Sequence, residues 1–404
     1  MWGAVMGYLL IRNGRVIDRG KSVQKDLLIR DEQVISDDFS GTLPGKNGEI
    51  SAAGAPSADA LTVIDAEGCY VAPGFVEIHA HGGGGADVMD ATAEALETVC
   101  ATHLRGGTTS LVVTTLSAPF ESIRKVVECC GTYADRCPNF AGIHLEGPYL
   151  SETRKGAHKS EYLHTPTAEE TEYILSKKHL IRRITAAPEL PGMFEFAEKM
   201  AAEGIGMACG HSDATSEEAL EGFRRGFSHV THLYNALSTW RKIDQVLKAG
   251  VVEAAYLDDR ASVEIIGDGK HVAADCGRLA FKIKGPEKMA LVSDALRPAG
   301  LKVKESYIGE ICPANRVIIE DGVAKLPDRS AFAGSIATGE MLLQQGVRYF
   351  GFSVEDTVRM MTETPAKILG RSDIGRLVKG ARADAVIFDD ALRLKQVICR
   401  GKTV

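Results

Sequence analysis

Between residues 71 and 296 the chain repeats one pattern: a short apolar run, usually a helix-like stretch, then the next run. The runs are VAPGFVEIHA (71–80), TTSLVVTT (108–115), FAGIHLEGP (140–148), RRITAAPE (182–189), GIGMACGHS (204–212), SHVTHLYNA (228–236), SVEIIGDGKHV (262–272) and MALVSDAL (289–296). Segments of helical spacing such as TAEALETVCATHLRGG and PGMFEFAEKMAAEG lie between them, several closed by glycine. Eight such units predict an α/β fold, a (β/α)8 TIM-like barrel, whose active site sits at the C-terminal ends of the strands. A doubly wound open sheet is the alternative. It usually carries G-x-G-x-x-G at the opening of a helix, and none follows the first run.

The two ends of the chain read differently. YLLIRNGRVID and KDLLIRDEQVI near the start, and GRLVKGARADAVIFDDALRLKQVICRGKTV at the end, are short β-rich runs joined by Gly and Asp turns. They predict a small β-sandwich domain built from both termini, residues 1–71 with 376–404, beside a catalytic barrel over 72–375. A length of 404 residues suits one large and one smaller domain. SDDFSGTLPGKNGEISAAGAPSADA (36–60) has no hydrophobic period and reads as a long surface loop.

A formal net charge of −7 argues against a nucleic-acid or anionic-membrane surface, while leaving room for a local basic pocket. The nine cysteines show no C-x-x-C spacing, so they read as reduced thiols in a cytoplasmic protein rather than a disulfide framework. The start, MWGAVMGYLLIRNG, lacks the basic region and cleavage site of a secretion signal, and no run is long enough to span a bilayer.

The chemistry-bearing residues gather at the ends of the apolar runs. His79 and His81 end the first, Glu146 the third, His211 the fifth, His232 the sixth and Asp294 the eighth. In a parallel barrel those ends converge on one mouth. Histidines at i and i+2 on a strand share a face and can bite one ion. Imidazole with carboxylate suits Zn²⁺, Fe²⁺ or Co²⁺ better than Ca²⁺ or Mg²⁺. His144 can face the same mouth from behind Glu146, whereas His103, His164, His179 and His229 read as surface or packing residues. The four glycines Gly82 to Gly85 resemble a phosphate cradle at first sight. However, Ala-Asp-Val follows them where a P-loop needs Lys-Ser/Thr. They read instead as backbone passing close to metal and substrate.

PGFVEIHAHGGGGAD, HLEGPYLSETRKGAH, GHSDAT, THLYNAL, DGKHV, LVSDAL and FAGSIATG follow one another in the order of the N-acetylglucosamine-6-phosphate deacetylase family of the amidohydrolase superfamily, which the chain resembles over nearly its whole length. The resemblance implies a metal-dependent barrel enzyme, commonly a homodimer, that removes acetate from a small amino-sugar phosphate. It implies Zn (or Fe), one or two ions per subunit. Glu146, His211 and His232 would hold the catalytic ion, and His79 and His81 a second one bridged by Glu146. Asp294 matches the catalytic acid/base and His158 a histidine that contacts substrate. Ala157, Asn235, Ala236, His271, Phe332, Ala333 and Gly334 match the other substrate contacts, with His271 reaching a neighbouring subunit's sugar phosphate.

One segment departs from the family. After THLYNA, where an arginine in His-Arg-Glu-Pro-Gly usually grips the phosphate, the chain reads LSTWRKIDQVLKAGVVEAA. Arg241 or Lys242 is the replacement on offer. The expected reaction is amide hydrolysis by activated water, with Asp294 moving the proton and His158 stabilising the oxyanion. Two alternatives stay open: a deacetylase of N-acetylgalactosamine 6-phosphate or an unphosphorylated sugar, and another cyclic-amide hydrolase. The second usually needs a bridging lysine on the fourth strand, which RRITAAPE lacks.

Overall fold

The computed structural model describes residues 7–39 and 61–404. The loop expected over 36–60 falls, from residue 40 onward, outside the described residues. Eight parallel strands form the central sheet: Phe75–Ala80, Thr108–Thr115, Phe140–Glu146, Ile181–Ala186, Gly206–Cys209, Phe227–Val230, Ser262–Ile266 and Met289–Val292. They neighbour one another in chain order. The last closes on the first through a parallel bridge between Ala80 and Ala295 and a 2.9 Å bond from Asp294 N–H to the His79 carbonyl. A helix follows each strand, from Ala93–Arg105 after the first to Gly339–Arg348 after the eighth. The (β/α)8 expectation is met.

Local sequence explains the outer layer. Thr92, Thr167 and Thr215 cap three helices, the last two in capping boxes with Glu170 and Glu218. Apolar residues at helical spacing, such as Leu96, Val99 and Cys100 or Ile123, Val126, Val127 and Cys130, bury one face of each helix in the main core.

Strands from both ends of the chain make one mixed sheet. Tyr8–Asp18 pairs antiparallel with Lys21–Arg30 and parallel with Leu61–Asp65 and Tyr70–Pro73. Ala385–Phe388 joins Tyr70–Pro73 from the other end of the chain. Leu9, Ile11, Leu27, Ile29, Val71, Ile387 and Ile398 form its separate core. The run read as one strand over 71–80 is therefore two. Tyr70–Pro73 belongs to the terminal sheet and Phe75–Ala80 opens the barrel. At the joint, a Cβ on Gly74 would lie 2.1 Å from Thr109 Oγ1, so only glycine lets the chain pass.

The barrel interior departs from the branched apolar filling usual for this fold. Glu77, His79, His144, Glu146, Arg183, Thr185, His229, Thr231 and Glu264 are all buried there, on or next to the strands. After the eighth strand, Glu305–Tyr307, Arg316–Glu320, Val323–Lys325 and Phe332–Gly334 form a small antiparallel sheet. It returns Phe332, Ala333 and Gly334 to the mouth of the barrel. Among the described residues no helix is long and apolar enough to cross a membrane.

Candidate metal centre and active site

Glu146 is the last residue of its strand; His81, His211, His232 and Asp294 lie one or two residues beyond theirs. Three of them have left-handed backbone, with φ of 48° at His211, 29° at His232 and 48° at Asp294. L-residues resist this region. The chain accepts the strain where each strand turns its final side chain into the mouth.

The side chains converge on Glu146. Its Oε1 lies 3.2 Å from His211 Nε2, 3.0 Å from His232 Nε2 and 3.4 Å from His79 Nε2. Its Oε2 lies 3.1 Å from His81 Nε2 and 3.7 Å from His158 Nε2. Asp294 Oδ1 sits 3.2 Å from His81 Nε2 and 3.5 Å from His79 Nε2. One carboxylate thus faces two pairs of histidines, with Asp294 against the first pair.

Hydrogen-bond partners set what each ring presents. His79 Nδ1 donates to the Glu264 carboxylate at 2.8 Å, and His211 Nδ1 to the Arg154 carbonyl at 2.9 Å. In both rings Nδ1 is thus engaged away from the mouth and Nε2 faces the cavity. His158 is the reverse. Its Nδ1 accepts the Ser117 backbone N–H at 3.2 Å, so its Nε2 carries the proton. Burial pushes its pKa down to about 4, which keeps the ring neutral. His158 Nε2 lies near Glu146 and His211, but as an N–H donor rather than a ligand.

The site fits a cation on three observations. His79 Nε2 is buried without a hydrogen-bond partner. His211 Nε2 and His232 Nε2 approach to 3.0 Å, both within 3.2 Å of Glu146 Oε1, so three ligand-type atoms meet at one point. Finally, burial disfavours charge on His79 and His81, yet the surrounding carboxylates outweigh it. They raise His79 well above its usual value and His81 to about 9. The same field holds Glu146 well below the usual carboxylate range despite its burial, because His79, His158, His211 and His232 surround it.

A cavity of about 360 Å³ opens above these groups. Its wall includes His81, Glu146, His158, His211, His232 and Asp294, together with Ala157, Asn235, Ala236, His271, Phe332, Ala333 and Gly334. His271 donates from Nδ1 to Asp268 at 2.7 Å and lies tilted against Phe332, ring centres 5.0 Å apart, on the wall of its own chain's cavity. Arg241 is not on that wall. It lies in a hairpin, Arg241–Ile243 with Val246–Lys248, and its guanidinium turns onto Asp213. The arginine that does line the cavity is Arg154, paired with the same Asp213 at 2.8 Å. Sequence reading passed over it, although it is the one arginine in HLEGPYLSETRKGAH.

The glycines after His81 serve closure. A Cβ on Gly82 would meet the Ala86 carbonyl at 2.5 Å and Arg297 N at 2.7 Å, and none of the four lines the cavity. Gly82 closes on the segment after the eighth strand, and Gly83 and Gly84 on Thr102 of the first barrel helix, rather than on metal or substrate. Gly84 and Gly85 do take positive φ, 65° and 94°. His103 packs beneath them, bonded to the Gly82 carbonyl at 3.0 Å.

The model of a family described as "Amidohydrolase family" matches residues 70–404. The chain belongs to the amidohydrolase family. This amidohydrolase is 30% identical over 401 residues to N-acetylglucosamine-6-phosphate deacetylase of Lysinibacillus sphaericus, covering 98% of this chain and 97% of that one. It is 29% identical over 331 residues to N-acetylgalactosamine-6-phosphate deacetylase of Shewanella sp. (strain ANA-3), covering 81% and 82%. Among solved structures, a mutant N-acetyl-D-glucosamine-6-phosphate deacetylase of Mycobacterium smegmatis in complex with N-acetyl-D-glucosamine-6-phosphate matches with a TM-score of 0.85. It is 28% identical, and the match covers 99% of each chain. The resemblance read from the motifs holds, and this amidohydrolase is a homologue of N-acetylhexosamine-6-phosphate deacetylases.

Proposed function

We propose that this enzyme hydrolyses the acetamide of an N-acetyl amino-sugar phosphate, first of all N-acetylglucosamine 6-phosphate, releasing acetate and the amine. The observation that carries this reading is Glu146, whose two oxygens face the two histidine pairs, with Asp294 and the His158 N–H beside it. The ligand set is His79 and His81, with Glu146 between, and Glu146, His211 and His232. Its imidazole and carboxylate donors favour Zn²⁺ or Fe²⁺, one or two ions per subunit. Such an ion, when bound, lowers the pKa of water to near neutrality and polarises a carbonyl.

The chain's own residues do the rest. Asp294 takes a proton from the attacking water as its oxygen bonds to the acetyl carbon, then returns a proton to the nitrogen as the C–N bond breaks. His158 Nε2–H donates to the acetyl oxygen as negative charge develops there. Ala157, Asn235, Ala236, His271 and Phe332 to Gly334 would hold the sugar, and Arg154 is better placed for a phosphate than Arg241. Cysteines without disulfide spacing favour a cytoplasmic setting, and the motif resemblance implies a homodimer.

A second reading has its own support, because the galactosamine-6-phosphate relative is nearly as similar as the glucosamine one. Acetate release from N-acetylglucosamine 6-phosphate, its galactosamine epimer and unphosphorylated N-acetylglucosamine, on samples of measured metal content, separates the readings. The highest kcat/KM is expected for the first. Preference for the epimer or the free sugar overturns the substrate assignment, and no acetate from any of them overturns the reaction.

A further inference from the structure

The ligand histidines rest on a second layer of buried charge, and one oxygen in that layer serves both pairs. Glu264, on the seventh barrel strand, has no solvent exposure. Its Oε1 accepts the His79 Nδ1–H at 2.8 Å and the His232 backbone N–H at 3.1 Å. Its Oε2 turns the other way, to Arg183 at 3.0 Å and His229 Nε2 at 3.4 Å. Arg183 is tied in turn to the Ile78 carbonyl and Thr231 Oγ1, both at 3.3 Å. The residue beyond His232 is held as well, with Leu233 N–H on the Glu264 carbonyl at 2.8 Å.

We propose that Glu264 is the positioning residue that makes the His79–His81 pair and the His211–His232 pair one unit, so that cations load the two pairs interdependently. This rests on reading those histidines as ligands. A carboxylate can only accept a hydrogen bond, so Glu264 forces the His79 proton onto Nδ1 and the lone pair onto Nε2. Without that acceptor the ring is free to turn an N–H toward the cation. The same Oε1 anchors the backbone that aims His232, so a shift drawn by a cation at one pair is felt at the other. The rival reading is an ion pair that neutralises Arg183 and does nothing for the ligands.

The test uses the full-length protein stripped with a chelator, then titrated with Zn²⁺ and with Co²⁺, whose absorption reports ligand geometry. Thermal unfolding of the stripped protein serves as the structural control. Two variants are compared with wild type: E264M, which has no acceptor oxygen, and E264M/R183M, which also removes the guanidinium that E264M would leave buried and unpaired. Both should weaken both binding steps about 10–100-fold, the usual loss when a ligand's outer partner is removed. The stripped double variant should unfold near the wild-type temperature.

Wild-type affinity in the double variant supports the ion-pair rival and overturns the proposal. Weakening confined to the His79–His81 step overturns the coupling, as does a wild-type protein that takes up a single ion. If the double variant does not fold, E264D is titrated instead, because it withdraws the carboxylate by one methylene. The same weakening is expected there, and wild-type affinity refutes the role. Wild-type protein that binds no ion refutes the ligand reading itself, and this inference with it.

Discussion

Replacing His229 with glutamine should flatten the acid limb of the stability profile. The imidazole is buried between Ser262 and Glu264, and burial pushes its pKa from 6.5 to about 4, with Arg183 adding to the shift and Glu264 opposing it. The folded value lies below the unfolded one, so between them the unfolded chain binds the extra proton. Stability is therefore full above the unfolded value of 6.5 and is lost as pH falls toward about 4. At about 1.4 kcal/mol per pKa unit, the loss reaches roughly 2 kcal/mol by about pH 5 and roughly 3 kcal/mol by about pH 4. Glutamine keeps a donor for Glu264 and does not titrate. Urea unfolding of chelator-treated wild type and H229Q, from about pH 7.5 down to about pH 4, reads the difference. Stripping matters, because acid also releases metal from imidazole ligands. The gap between the two proteins should change by roughly 3 kcal/mol over the window. Parallel profiles would refute a neutral, desolvated His229.

Asp294→Asn should keep fold and metal content, because asparagine tolerates the left-handed backbone at this position, yet lower kcat by about 10²–10⁴-fold; near-normal turnover removes Asp294 from the proton path. Gly82→Ala should destabilise the protein by about 1–3 kcal/mol, since its Cβ meets backbone rather than a movable side chain. An unchanged unfolding midpoint would show that the closure of the barrel is looser than these contacts require. Arg154→Met should raise KM for the phosphorylated sugar by about 10–100-fold and leave the free sugar nearly unchanged, while Arg241→Met should do little. Equal losses on both sugars would separate Arg154 from phosphate recognition.

The barrel was legible because each unit repeats a strand-length apolar run and a helix-length amphipathic one, and those periods survive without tertiary context. The convergence of the candidate site residues on one mouth was legible for the same reason, since strand ends are countable along the chain. What escaped was whatever depends on the third dimension. His211, His232 and Asp294 lie past their strands on left-handed turns, which no run of apolar residues announces. His229 read as an ordinary packing residue, yet it borders the Glu264 carboxylate that holds His79. Arg183 and Glu264 drew no attention in RRITAAPE and SVEIIGD, because a charge inside an apolar run gives no hint of its partner 81 positions away. Arg241 looked available because spacing along the chain says nothing of Asp213, which takes up its guanidinium.

The left-handed residues at the mouth have a consequence for how such a chain can change. His211, His232 and Asp294 each hold a backbone state that glycine adopts freely and that costs other residues on the order of 1 kcal/mol or more. Folded proteins survive on margins of only about 5–15 kcal/mol. A population screened for heat resistance or soluble yield alone would therefore gain by discarding these side chains, and would drift toward a sturdier barrel with an empty mouth. Only selection on turnover, or a ligand that binds the folded form alone, opposes that drift.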